Sequence, residues 1–518
     1  MNDIPEIPVV EVHHSSFSRI SADVKDCLCE YCKQNSIFDL FRIKNRIQRI
    51  LWIFIIFLLV IACYLMNVKL FQERHIFIVN EEEKLSTYDI PFPAVTVCTD
   101  VKADHRKFKF LYTFNRIYNV SQEEIIKYLL LERVLFPDVT SRRLINPAIG
   151  GDTLHRPPID GALSRIHELG IKEEDLIVQC SIDNQKKCKW TKILTPDGLC
   201  YSFNLISSKE MFQPNIEHKQ YEDMGISSKG WSSNEGYANR HTKDTYPMRA
   251  ERHQLKFRLK LDTNDFENIS PKIYLNLGVF KGFYIYVHHP MDYPYDIQNR
   301  VFIPTNSKYD LKIIPDLMLA DKSLKKYAMK TRKCSFGDSD ETNIKFFNHF
   351  SINNCLLECA AKESLKFCEC VQFFMPNENK TICGQSERHT QHCYRHSINN
   401  MITLDLLKMQ NFNFSGSVCN CIPPCSYLSY TVYESMIGDL KISNGSFQFS
   451  DVTIRFASTK FIPKRRQESS SDLDMLAAIG GALGLFIGAS VISIIEFFYY
   501  FSFKLSMRIV FGNKVSLD

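Results

Sequence analysis

Two long apolar runs lie near the ends of this chain, and everything between them is patterned in short segments. The first reads Leu51-Trp-Ile-Phe-Ile-Ile-Phe-Leu-Leu-Val-Ile-Ala-Cys-Tyr-Leu-Met66 and follows Arg42, Lys44, Arg46 and Arg49. The second carries no charge from Met475 to Ile495. Each is long enough to cross a bilayer as a helix. The second is unusual in being crowded with small residues: Gly480, Gly481, Ala482, Gly484, Gly488, Ala489 and Ser490. Gly480, Gly484 and Gly488 are four apart and share one helix face, where backbones can approach closely. Such a stripe alone signals helix association. Here it ends in Gly488-Ala489-Ser490, where little keeps the helix regular. Irregular backbone at membrane depth is tolerated only where it lines a cavity, so the run reads as a pore helix.

Between the runs, Pro91-Phe-Pro-Ala-Val-Thr-Val-Cys98 predicts a short β-branched strand introduced by prolines. Residues 121–134 carry a helical pattern on Ile125, Ile126, Leu129, Leu130 and Val134, with Ser121 and Glu124 forming a capping box. Leu199 to Leu205, Leu255 to Leu261, Gly282 to Val287 and Val452 to Phe456 read as strands, and Ser323 to Arg332 as a helix. Residues 207–250 are polar and form an excursion from the sheet. The fold class that follows is an α+β membrane protein: two transmembrane helices and a disulfide-rich extracellular domain with a β core and peripheral helices. The expected divisions are a cytoplasmic tail at 1–49, a span at 50–71, the extracellular domain at 72–471, a pore-bearing span at 472–503 and a second tail at 504–518.

Cysteine placement fixes the sides of the membrane, which charge leaves open, since Lys464, Arg465 and Arg466 flank the second run outside as Lys504 and Arg508 do inside. Fourteen of the eighteen cysteines fall between Cys98 and Cys425, an even set that predicts a disulfide framework in an oxidising compartment. All five sequons, at Asn119, Asn268, Asn379, Asn413 and Asn444, share that segment. Both termini are therefore expected in the cytoplasm. No cleavable signal peptide precedes the first run. Cys27, Cys29 and Cys32 read as free cytosolic thiols, with no His nearby to complete a metal site. A net charge of +5 over 518 residues gives no reason to invoke nucleic acid.

The tightest spacing lies in residues 355–425. On a helix, Cys355 and Cys359 share a face about 6 Å apart along the axis. In an extended segment Cys419 and Cys421 are separated by about 6.7 Å on one face. The match predicts Cys355–Cys421 and Cys359–Cys419, with Cys334–Cys425 enclosing them. Cys368, Cys370, Cys383 and Cys393 pair within the enclosed loop, and a zinc site on Cys368 and Cys370 is disfavoured by the compartment. No His-Glu-x-x-His, Gly-x-Ser-x-Gly or phosphate loop occurs, which argues against an enzyme and against a bound cofactor. His288-His289-Pro290 reads as a surface turn, and Glu81-Glu82-Glu83 as a solvated face that at a pore mouth would concentrate cations. Glu496 lies at the inner end of the second span, where an ionisable group is by default functional.

Phe92-Pro-Ala-Val-Thr-Val-Cys98, Cys355-Leu-Leu-Glu-Cys359 with Cys368-Glu-Cys370, Cys419-Asn-Cys-Ile-Pro-Pro-Cys425 and Ile479-Gly-Gly-Ala-Leu-Gly-Leu-Phe-Ile-Gly-Ala-Ser490 together resemble the DEG/ENaC family of degenerin, epithelial sodium and acid-sensing channels. The resemblance covers about residues 42 to 505. It implies a plasma-membrane trimer with two further identical or related subunits, a sodium-preferring pore blocked by amiloride-type drugs, and Na+ as the permeant ion. Gly488, Ala489 and Ser490 would form the selectivity filter. Ala477 would be the degenerin position of a gate including Ala478, Gly481 and Leu485, with Glu496 in the inner pore. The implied disulfides are Cys98–Cys200, Cys180–Cys188, Cys334–Cys425, Cys355–Cys421, Cys359–Cys419, Cys368–Cys393 and Cys370–Cys383.

Three departures shape the expected gating. Phe38-Asp39 stand where the family has a cytosolic His-Gly, Ala478 replaces the gate Asp of acid-sensing members, and Cys383 to Cys419 offers only Glu387 and Asp405 as carboxylates. A proton sensor needs paired carboxylates. Gating by an extracellular, peptide-like ligand or a constitutive leak is therefore expected ahead of proton gating. A pore-less, doubly anchored receptor or adhesion module is the alternative from another class, and an ATP-gated channel would lack the filter and the ladder.

Overall fold

The computed structural model describes residues 46–72, 76–107, 159–182, 188–216, 254–264, 281–295, 300–337, 344–384, 418–441, 445–469 and 472–487, with scattered positions at 24–25, 123–135, 231–249 and 495–506. The chain divides into two units, one made of Met1–Phe77 with Glu468–Asp518 and the other of Ile78–Gln467.

In the first unit, helix α1 (Arg46–Gln72) runs 27 residues, and its sequence is uncharged from Ile50 to Val68. Among the described residues alone, no helix is long and apolar enough to cross a membrane. α1 packs beside the helix formed by Asp472–Ile487. Its Cys63 is buried, and Asn67 donates to the Cys63 carbonyl at 2.8 Å, while Phe54, Phe57, Leu58, Tyr64 and Leu65 are exposed.

The second unit is built on two sheets. One has seven strands: β1 (Ile76–Asn80), β4 (Ile177–Ile182), β9 (Gln254–Asp262), β12 (Ser307–Ala320), β13 (Tyr427–Asp439), β14 (Phe447–Phe456) and β16 (Lys464–Glu468). They run in the order β1–β16–β12–β14–β9–β4, with β13 on β12. The β9 pattern explains itself: Leu255, Phe257, Leu259 and Leu261 are buried while the lysines and arginine between them face out. β12 is the long member. It pairs antiparallel with β13 from Ser307 to Met318, parallel with β14 over Lys308–Ile313 and parallel with β16 over Met318–Ala320. Pro315 falls in the gap between those two parallel partners, where a missing N–H costs no ladder bond.

The other sheet has the order β11 (Arg300–Pro304), β10 (Gly282–His288), β3 (Ala94–Thr99), β6 (Gly198–Phe203) and β5 (Trp190–Thr195). β3 and β6 are buried at every residue, so both faces are covered. Cys98 stands opposite Cys200 in register and is bonded to it. Two short pairs complete the strands, β2 (Leu85–Ser86) with β15 (Lys460–Phe461) and β7 (Trp231–Ser232) with β8 (Gly236–Tyr237). Helix α2 (Ala162–Leu169) buries Ala162, Ile166 and Leu169, and helix α3 (Ile352–Cys368) is capped by Ser351, whose side chain accepts from Asn354 N.

The described disulfides are Cys98–Cys200, Cys180–Cys188, Cys334–Cys425, Cys355–Cys421, Cys359–Cys419 and Cys370–Cys383. Cys368 is also disulfide-bonded; Cys393 lies outside the described residues. Asn420 takes a left-handed conformation at φ 50°, so Cys419–Cys421 is a turn rather than the expected extended segment. Residues 323–332 do not form one helix but a 3-10 turn, Lys322–Lys326, and a helical turn, Met329–Arg332. The capping box at Ser121 and Glu124 lies outside the described residues, as do Asn119, Asn268, Asn413 and Asn444; Asn379 is exposed.

His288 and His289 are not on a surface turn. They are 4% and 7% exposed, His288 Nε2 lies 2.8 Å from Thr96 Oγ1, and the His289 ring stacks on Trp231 at 5.0 Å. Thr96 of β3 and Trp231 of β7 take up the end of β10, which local polarity alone does not reveal.

Candidate functional site: the second apolar helix and its lead-in

The chain enters the second apolar run through β16, which carries three consecutive basic residues. Lys464 pairs with Asp316 at 2.9 Å. Arg465 Nε donates to Glu81, and its Nη1 reaches Asp321 Oδ1 at 3.0 Å. The Glu81 carboxylate holds the Arg465 guanidinium above its ordinary pKa. Arg466 is buried, which pushes its pKa down. Backbone bonds add to these contacts: Glu81 N to Pro463 O at 2.9 Å, Thr87 N to Thr459 O at 3.0 Å and Asp321 N to Arg466 O at 3.1 Å. The segment following the first apolar run is thus fastened to the one preceding the second. Glu81 therefore belongs to an ion pair and not to a free acidic rim; Glu82 and Glu83 are exposed.

Helix α4 (Asp472–Ile487) begins just beyond. Its buried side chains are Met475 and Ala482, seven apart and so nearly in line along one face. Ala477, Gly480, Gly481 and Gly484 are exposed and fall on the opposite face. A Cβ built on Gly480 or Gly481 meets nothing within 4 Å. Gly480 and Gly481 are thus not spent on letting α1 approach. Of the gate positions, Ala477, Ala478 and Gly481 lie on this helix, and Leu485 is in its last turn. Gly488, Ala489, Ser490 and Glu496 lie outside the described residues.

Two paired side chains carry no local signal in the sequence. Arg465 reads there as flanking charge, and its partner Glu81 lies 384 positions away. Glu358, the acid between Cys355 and Cys359, is 1% exposed and accepts from Lys345 N at 2.7 Å and Phe346 N at 2.8 Å.

The profile of the amiloride-sensitive sodium channel family matches residues 29–500. The chain belongs to this family. Its members are ion channels, not enzymes. Similar family members include Pickpocket protein 28 of Drosophila melanogaster, 25% identical over 64% of this chain and 56% of that protein. Human acid-sensing ion channel 2 is 22% identical over 92% of this chain and 88% of that protein. The human bile acid-sensitive ion channel is 30% identical over 30% of this chain and 33% of that protein. The matches to the pickpocket relatives span about half of those proteins or less. Among solved structures, a proton-activated chloride channel aligns at a TM-score of 0.27 and 7% identity, too low to bear on the fold. Family membership implies a membrane protein whose disulfide-rich, β-rich domain is extracellular, consistent with the bonds and sheets above.

Proposed function

We propose that the chain is a subunit of a trimeric, sodium-preferring, amiloride-sensitive cation channel of the plasma membrane, with α1 and the run beginning at α4 as its spans and residues 72–471 outside the cell. The observation that carries this reading is the division of α4 into two faces. Met475 and Ala482 are covered within the subunit, while Ala477, Gly480, Gly481 and Gly484 are uncovered on the opposite side, beside exposed Leu473 and Leu476. A helix surrounding a shared axis needs such a face, and a plain anchor does not. The filter at Gly488-Ala489-Ser490 would discriminate through backbone carbonyls and Ser490 hydroxyls. Opening would pass from the ectodomain through β16 into α4.

An extracellular peptide-like ligand or constitutive opening is the favoured gating mode, on the sequence departures given above. Proton gating is the second reading, supported by the alignment with acid-sensing ion channel 2 along most of both chains. The test is current from cells expressing this chain alone, with candidate peptides, acid and amiloride applied in turn. Gly488→Trp should abolish that current and leave surface expression intact. Undiminished, sodium-selective current from the variant overturns the filter assignment.

A further inference from the structure

Beyond conduction, one surface stands out by charge. Residues 321–333 contain six basic side chains (Lys322, Lys325, Lys326, Lys330, Arg332 and Lys333) against the single acid Asp321, a net +5 equal to that of the whole chain. The rest of the protein is balanced; this segment holds its excess. The five lysines are exposed. Asp321 does not neutralise them, because its carboxylate is taken by Arg465 at 3.0 Å.

The array is held rigidly. Leu324 is fully buried, and Tyr327 N bonds to its carbonyl at 3.1 Å. Buried Arg332 donates to Tyr327 O at 2.9 Å and Cys334 O at 2.8 Å, next to the Cys334–Cys425 bond. Lys325 lies over the Phe336 ring and Lys326 over that of Tyr327, each at 5.3 Å. Fixing these stems beforehand lowers the entropy lost when an anion is bound. From Lys322 to Lys333 the two turns span no more than about 25 Å of chain, and the five exposed lysines follow that strip.

We propose that this strip is a docking surface for a linear sulfated polysaccharide of the extracellular matrix. A lysine-dense segment of this kind attracts linear polyanions by field and counterion release, with little need of shape. Two features disfavour a lipid surface or an acidic peptide with apolar anchors. Between Ile314 and Phe367 the described residues include no large exposed apolar side chain, so the segment itself offers nothing for insertion. The six basic groups also alternate with Ser, Ala and Thr rather than with aromatic residues that point outward.

The test is heparin binding by the full-length protein in detergent. Lys325→Glu/Lys326→Glu/Lys330→Glu should weaken retention at least about tenfold at moderate salt. Lys209→Glu/Lys256→Glu/Lys441→Glu, an equal charge change at other exposed lysines, should leave it within about twofold. In the unaltered protein, heparin should protect Lys325, Lys326 and Lys330 from acetylation, a readout that holds even if a variant fails to fold. Equal loss in both triple variants, unprotected lysines, or preference for poly-glutamate or phosphatidylserine vesicles over heparin overturns the proposal.

Discussion

Removing the carboxylate of Glu358 tests how the ladder helix is tied to the rest of the extracellular unit. Its two oxygens accept from the amides of Lys345 and Phe346, which places Phe347 in the core against Phe212 at 5.2 Å. Lys362 completes the arrangement as a half-exposed ion partner. Glu358→Ala leaves two partly buried N–H groups without their acceptors, at about 1–3 kcal/mol each. The lost pair with Lys362 adds under about 1 kcal/mol, because solvent screens it. The expected cost is about 2–6 kcal/mol. A unit of roughly 390 residues unfolds with about 2 cal/mol/K per residue, so each kcal/mol lowers its transition by about 1 °C. The alanine variant should then melt about 2–6 °C lower, and Glu358→Gln, which keeps one acceptor, about half as far. The assay is tryptophan fluorescence of the purified full chain, heated without reductant at a fixed scan rate. An alanine variant melting within about 1 °C of the parent, or a glutamine variant melting below the alanine variant, refutes the reasoning.

Gly282→Ala would set a Cβ against the Ile303 carbonyl oxygen and the Phe302 ring, costing about 1–3 kcal/mol of overpacking and reducing the amount of protein at the cell surface. Gly480→Ala meets no neighbour within the subunit, so its melting should match the parent within about 1 °C while its current changes; unchanged current would count against the pore face. Burial pushes His288 and His289 down to about 4 and about 3. Their unfolded pKa is near 6.5, so their contribution is complete above that pH and is lost as pH falls towards 4 and 3. At pH 5 each costs about 2 kcal/mol, and His289→Phe, which keeps the Trp231 stack, should lose less stability than the parent between pH 7.5 and 5. Identical acid sensitivity of the two would contradict this.

The parts of the fold legible in the sequence were those with local causes. β9 and β10 announced themselves by alternation and apolar content, and the ladder by the cysteine spacing on α3. β12 did not, because Pro315 argues against a central strand unless one knows that its neighbours leave a gap there. β16 was equally hidden: Lys464, Arg465 and Arg466 read as flanking charge, and only distant Asp316, Glu81 and Asp321 make them a strand. The same limit applied to the candidate site. The small-residue stripe was visible in α4, but which face of that helix the subunit covers depends on α1, more than 400 positions earlier.

Unequal fastening along β12 has a mechanical consequence. Twelve register pairs hold β13 to it, but only three hold β16. A pull along β16 would load those three pairs, with the Lys464–Asp316 and Arg465–Asp321 contacts, before the twelve that hold β13. The seam between β12 and β16 is thus the shorter of the two and is expected to yield before the one between β12 and β13.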